Sequence, residues 1–212
     1  MNCKGTANSR KAKRMEVYLI RHLMTQGNVE KRYIGTTDEP LILIPEQEGL
    51  VRRMREKLKT ASVDTVVSSP MKRCVQTAEI YFPGQEPVIQ EKLRESDFGL
   101  FENKNYEELK DEPEYQKWLD SGGTIPFPGG ESHEAFLKRC REGFLENMEQ
   151  LRQDGADSAA FVIHGGTVMA VLSGYSERES SFYDWMIPNG TGYQAVWDET
   201  DRILRKIEKM ER

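Results

Sequence analysis

Three short apolar runs in this chain stop abruptly at polar residues. VYLI ends in Arg21-His22, TVV ends in Ser68-Ser69, and AFVI ends in His164-Gly165-Gly166. Amphipathic stretches at helical spacing lie between them. Strands alternating with helices imply a largely parallel sheet covered on both faces. Ligands of such sheets bind outside the carboxyl ends of the strands. The runs therefore constrain fold and site together. They predict a three-layer α/β/α sandwich with a mostly parallel central sheet, and polar chemistry along one sheet edge.

The remaining elements follow from periodicity and punctuation. Val17–Arg21 reads as the first strand, Glu46–Leu58 as a charged amphipathic helix, and Asp64–Ser68 as the second strand. A helix follows Ser69-Pro70, with Pro70 at its first position and Met71, Cys74, Val75 and Ala78 on its buried face. Pro87–Gln90 is a short third strand. Two short helices interrupted at Pro113 fill residues 103–121, and Thr124–Gly130 is a Pro/Gly loop. Ser132 caps a long helix to about Arg152, striped by Phe136, Leu137, Cys140, Phe144, Met148 and Leu151. Ala160–His164 is a late strand, followed by a helix from Thr167 to about Leu172. Tyr193–Trp197 and Ile203–Ile207 form a hairpin. Residues 92–130 read as a small helical cap inserted over the sheet.

At 212 residues the chain is predicted to hold a single domain over 15–212. Net charge is −5, and it is unevenly spread. Residues 1–14 carry Lys4, Arg10, Lys11, Lys13 and Arg14 and no acid, so the rest of the chain carries −10. No apolar segment follows that head as a secretory signal would require. It reads as a disordered tail or as residues upstream of a start at Met15, with an organellar presequence as the third reading. An acidic body argues against a nucleic-acid partner, and no apolar run approaches the ~20 residues of a membrane helix. Cys3, Cys74 and Cys140 are odd in number and far apart, so they read as reduced thiols, two of them core residues, in a cytoplasmic protein. Both a monomer and a homodimer fit the sequence.

Two arginines and two histidines at one sheet edge suit a phosphoryl group. Arg73, off the apolar stripe of its helix, joins Arg21, His22 and His164. Arg offers a rigid fork of donors to phosphate oxygens, and the amides after Gly165-Gly166 open a helix N-terminus. One histidine can attack as a nucleophile if neighbouring cations keep a ring nitrogen unprotonated. The cationic pocket itself neutralises charge on the transferring group, so neither metal nor cofactor is required. Glu95 and Asp97 both qualify as the acid. His133 reads as a surface residue and Lys72 as a solvated charge.

The stretches LIRHLMTQGN, VVSSPMKRCVQTAEI, LRESDFGLFENK, PGGES and FVIHGGTV occur in this order across residues 16–175. Together they resemble the histidine phosphatase superfamily, the phosphoglycerate-mutase-like group, and most of all its α-ribazole phosphatase branch. The resemblance implies a metal-independent phosphomonoester hydrolase that takes a small organic phosphate ester and forms phosphohistidine on His22. It places Arg21, Arg73 and His164 around the phosphate, with Thr25, Asn28 and Gly165 as further phosphate contacts. It selects Glu95 as the proton donor, a role that a neighbouring phosphate dianion favours by keeping the carboxyl protonated. Phosphoglycerate-mutase-type transfer and a phospho-ligand-binding protein without turnover are the alternatives. The cap aromatics Phe98, Phe101, Tyr106, Tyr115 and Trp118 read as cap core ahead of ligand platform. Two departures stand out. Leu23 replaces the glycine usual after the Arg-His pair, and Phe101-Glu102-Asn103 replaces a W-E-G-like segment. Leu23 either narrows the pocket or packs sideways at negative φ.

Overall fold

The computed structural model describes residues 14–42 and 44–210. The basic head up to Lys13, with Cys3, lies outside them. Arg14, counted with that head by the sequence, instead opens the first strand.

Six strands form one mixed sheet in the order β3-β2-β4-β1-β5-β6. They are β1 (Arg14–Arg21), β2 (Thr65–Ser68), β3 (Val88–Ile89), β4 (Ser158–Ile163), β5 (Gly192–Asp198) and β6 (Ile203–Met210). The pairings β1·β4, β4·β2 and β2·β3 are parallel, and the C-terminal hairpin joins antiparallel along β1. The predicted sandwich is therefore the observed one. The register sets Arg21 beside Ile163 and Ser68 beside Val162, which brings the polar strand ends to one edge.

The helices are α1 (Gln26–Val29), α2 (Pro45–Ala61), α3 (Lys72–Tyr81), α4 (Tyr106–Leu109), α5 (Pro113–Asp120), α6 (His133–Asp154) and α7 (Gly165–Tyr175). β1 explains the layering. Met15, Val17 and Leu19 pack with Phe144 and Met148 of α6 and Val168 and Val171 of α7. Tyr18 and Ile20 point the other way, to Met54 and Leu58 of α2 and Cys74 and Ala78 of α3. Both faces are buried, so the strand reads as a continuous apolar run rather than an alternation. Ser132 caps α6 as predicted, its hydroxyl accepting from the Ala135 N–H at 3.1 Å. Pro70 falls before the first turn of α3, whose cap position is Met71, so the proline ends the strand connection instead of opening the helix. The two short helices expected on either side of Pro113 are α4 and α5, and the proline opens the second. Cys74 and Cys140 are free and buried, as their spacing predicts.

The cap has its own aromatic cluster. Phe101, Leu109 and Tyr115 are buried, with Tyr33, Phe98, Trp118 and Phe127 packed around them. Two boundaries differ from expectation. Leu93 belongs to the main core, so the segment begins in the body of the protein. Tyr106 is exposed, outside the cluster.

Candidate active site

His22 follows β1 and His164 follows β4, and their ring centres lie 5.3 Å apart. His22 Nδ1 donates to its neighbour's carbonyl, Leu23 O, at 2.6 Å. A carbonyl only accepts, so Nδ1 carries the proton and Nε2 keeps a free lone pair. His164 Nδ1 accepts from Arg73 Nε at 3.2 Å, and its Nε2 donates to Ser69 Oγ at 2.8 Å. Burial, then Arg73 and Arg21, hold His22 well below the usual imidazole range; the bond to Leu23 O pulls the other way. Burial and then Arg73 lower His164 likewise. Both rings are therefore neutral near pH 7.

The two arginines are placed differently. Arg73 is fully buried and committed to the protein, donating to Thr37 O at 2.8 Å and to Gly35 O at 2.9 Å besides His164. Arg21 reaches Ile187 O through Nη1 at 2.8 Å, while its buried Nε has no hydrogen-bond partner among the described residues. A buried unpaired guanidinium N–H is costly unless an anion meets it. Gly165 lets this group sit close: a side-chain carbon there would stand 3.2 Å from Arg21 Nε. A Cβ at Gly166 would run into the Glu95 carboxyl. Glu95 Oε2 accepts from Gly166 N at 2.9 Å, at the N-terminus of α7, and Oε1 from Ser96 N at 3.0 Å. Asp97, the competing acid, instead accepts from Gly99 N at 2.9 Å within its own turn.

Asn28 Oδ1 accepts from Asn189 Nδ2 at 3.0 Å, and Asn189 Nδ2 also reaches His22 O at 3.1 Å. Asn28 Oδ1 also accepts from Thr25 N at 3.2 Å, which leaves Asn28 Nδ2 as the donor that bonds no described residue. Thr25 is fully buried, and its hydroxyl accepts from Asn28 N at 3.3 Å in a capping box of α1, so it shapes the loop that carries Asn28. Leu23 packs sideways. It is buried in the α2/α3 core, its N–H donates to Thr77 Oγ1 at 3.0 Å, and its φ is not positive. The space it fills is the one a Cβ at Gly190 would need, 2.8 Å from Leu23 Cδ2, and Gly190 has φ +74°.

Above this floor opens a cleft of about 340 Å³. Arg21, Glu95 and Gly165-Gly166 form its base, and Phe98, Trp118, Phe127, Phe136 and Phe182 are among its walls. His133, expected at the surface, is half-buried in this wall, edge-on to Phe182 at 4.9 Å. Phe98 and Trp118 thus serve cap core and cleft wall at once. A larger groove against α2 and α3 holds none of these residues. Among the described residues, no three His, Cys, Asp or Glu side chains are grouped to hold a metal ion. No helix among them is long and apolar enough to cross a membrane. Asn189, partner of the His22 loop, was not singled out by sequence, where P-N-G at 188–190 was the available turn signal; Ser69 was read as a polar strand end, and the structure adds its bond to His164.

The family model of the histidine phosphatase superfamily, branch 1, matches residues 17–209. The chain belongs to this superfamily. The match makes the protein an enzyme of the histidine phosphatase group, as the motifs predict. A curated relative, "Probable phosphoglycerate mutase GpmB" from Enterobacter sp. (strain 638), is 31% identical over 195 residues, covering 86% of this chain and 87% of that one. The phosphoglycerate mutase of Thermus thermophilus is also 31% identical, with a TM-score of 0.67 and coverage of 93% and 100%. The α-ribazole phosphatase of Shigella flexneri overlays more tightly, at 0.76, but is 22% identical, covering 90% and 94%, and supports the fold alone.

Proposed function

We propose that this histidine phosphatase hydrolyses a small organic phosphate monoester through a phosphohistidine on His22. The observation that carries the reading is the hydrogen bond from His22 Nδ1 to Leu23 O. It fixes the tautomer and leaves Nε2 as a buried, unprotonated nucleophile beside the unpaired Arg21 N–H. Nε2 attacks phosphorus and the P–O bond to the alcohol breaks. Arg21 and the α7 N-terminus stabilise the equatorial oxygens. Glu95, protonated, gives its proton to the leaving oxygen. Its carboxylate then takes a proton from water, the hydroxide attacks phosphorus, and the P–N bond breaks to return free His22 and inorganic phosphate.

An organic leaving group of moderate size suits the aromatic walls, and α-ribazole phosphate is the first substrate to try. The mutase reading is favoured by the 31% identical relatives. Against it stands a cleft whose only arginine among the described residues is Arg21, with no lysine in its lining. A second phosphate and a carboxylate would call for more cations.

Hydrolysis of 4-nitrophenyl phosphate should occur and fall by at least ~10⁴ in His22→Ala, the scale of removing a nucleophile. Acid-labile, base-stable phosphate should be trapped on the wild type alone. Because His22 is held below its ordinary value of 6.5, the acid limb of kcat/KM should lie below that pH. Full activity in the variant would overturn the assignment. Binding of phosphate esters without turnover would establish the non-catalytic reading.

A further inference from the structure

Glu131, the fourth residue of the P-G-G-E-S stretch, takes no part in the steps above. Its carboxylate receives a two-pronged bond from Arg139 of α6, Nε to Oε1 at 3.0 Å and Nη2 to Oε2 at 2.7 Å. Apart from a long contact of Nη1 with Cys140 Sγ at 4.0 Å, the other Arg139 donors turn to one short segment. Nη1 bonds Lys92 O at 2.8 Å and Arg94 O at 3.0 Å, and Nη2 bonds Glu95 O at 3.3 Å. A guanidinium has five N–H groups, so none is left over. Phe136 lies under the guanidinium, 5.3 Å from ring centre to Cζ, and its ring would meet a Cβ at Gly166 at 3.1 Å.

Glu95 sits on irregular backbone, between the short 3₁₀ turns Glu91–Leu93 and Gly99–Phe101. Its side chain touches Gly166 N and its own Ser96 N, but those bonds do not place its backbone. Thr167 Oγ1 holds Leu93 O and Arg94 O at 3.3 Å each. Among the described side chains, only Arg139 reaches the carbonyl of Glu95 itself. We propose that Glu131 and Arg139 are a positioning pair: Glu131 orients the fork, and the fork sets the Glu95 carboxyl against the leaving oxygen. This rests on the reading of Glu95 as proton donor. A planar fork serves three carbonyls and a carboxylate together, which a lysine ammonium cannot match. A misplaced Glu95 slows phosphorylation of His22 only where the leaving oxygen needs a proton; its later action on water is common to all esters, so kcat/KM, which reports phosphorylation alone, is the readout.

The test therefore compares two esters. 4-Nitrophenyl phosphate departs as a stable phenolate; glycerol 2-phosphate departs as an alkoxide that must be protonated. Arg139→Lys should lower kcat/KM on glycerol 2-phosphate by about 50-fold, short of the full ~10²–10⁴ of general acid catalysis because the lysine variant keeps part of the function. Its loss on the nitrophenyl ester should be at least tenfold smaller, and Glu95→Gln should show the same skew. Competitive inhibition by inorganic phosphate, which needs no proton transfer, should stay within about threefold. Equal loss on the two esters, or none on either, overturns the proposal. If Arg139→Lys does not fold, Glu131→Gln decides by the same ratio. A wild type that hydrolyses neither ester overturns the proposed function itself, a result separate from an unskewed variant.

Discussion

Beneath the cleft polar groups are largely paired, whereas the cap above it is held by rings. His22, His164 and Arg73 each spend their protons on a named acceptor, and the chief exception is Arg21 Nε. In the cap, Trp118 stacks on Phe127 at 5.2 Å and Tyr33 meets Phe98 edge-on at 5.2 Å. Hydrogen bonds fix atoms to tenths of an ångström. Ring contacts tolerate sliding and substitution. The difference assigns reaction to the floor and choice of ester to the cap.

Arg21→Met is the strongest blow to that division. The thioether keeps the volume and removes the waiting donor. We expect kcat/KM to fall by ~10²–10³, the scale for losing one donor to the transition state, with competitive inhibition by inorganic phosphate weakened in parallel. Arg21 is also a cation that lowers His22. Its removal should move the acid limb of the rate profile to higher pH, since a histidine relieved of a positive neighbour is easier to protonate. A fall in rate with the limb unmoved would separate Arg21 from the nucleophile.

Trp118→Ala probes the other half. Losing its stacking should cost about 1 kcal/mol of ester binding, roughly a fivefold rise in KM for aromatic esters. Inhibition by inorganic phosphate, which needs only the floor, should stay within about twofold. Equal weakening of both would show that floor and cap are not separable.

The floor was largely legible in the sequence because a strand end is local. Arg21-His22 and His164-Gly165-Gly166 declare themselves by interrupting apolar runs, and parallel pairing then aligns them. Arg73 was legible as a residue that burial on its own helix did not explain. Asn189 and Arg139 were not. Each acts on backbone carbonyls of a segment far away in sequence, and a carbonyl carries no residue identity to match. Thr25 shows a related ambiguity: its spacing from Asn28 suits both a ligand contact and a capping box, and sequence alone did not reveal the box. His133 was misread because the exposure of a helix's first turn depends on what lies opposite, here Phe182.

Leu23 sharpens the comparison with the smallest expected effect on rate. It stands beside the nucleophile in sequence, yet its side chain is buried in the α2/α3 core. The contacts that serve His22 come from its backbone: Leu23 O accepts from the ring, and Leu23 N–H holds Thr77. Leu23→Gly keeps both groups. It removes a buried side chain and leaves a hollow against Gly190, which should cost about 3 kcal/mol of stability. For a domain of this size that lowers Tm by roughly 6–12 °C, while kcat at 25 °C should change less than about threefold. A rise in kcat above about tenfold, or ~1.4 kcal/mol of barrier, would mean that Leu23 restrains the site after all. Loss of stability at constant kcat would instead make Leu23 a packing partner of Gly190, tied to the reaction through its backbone alone.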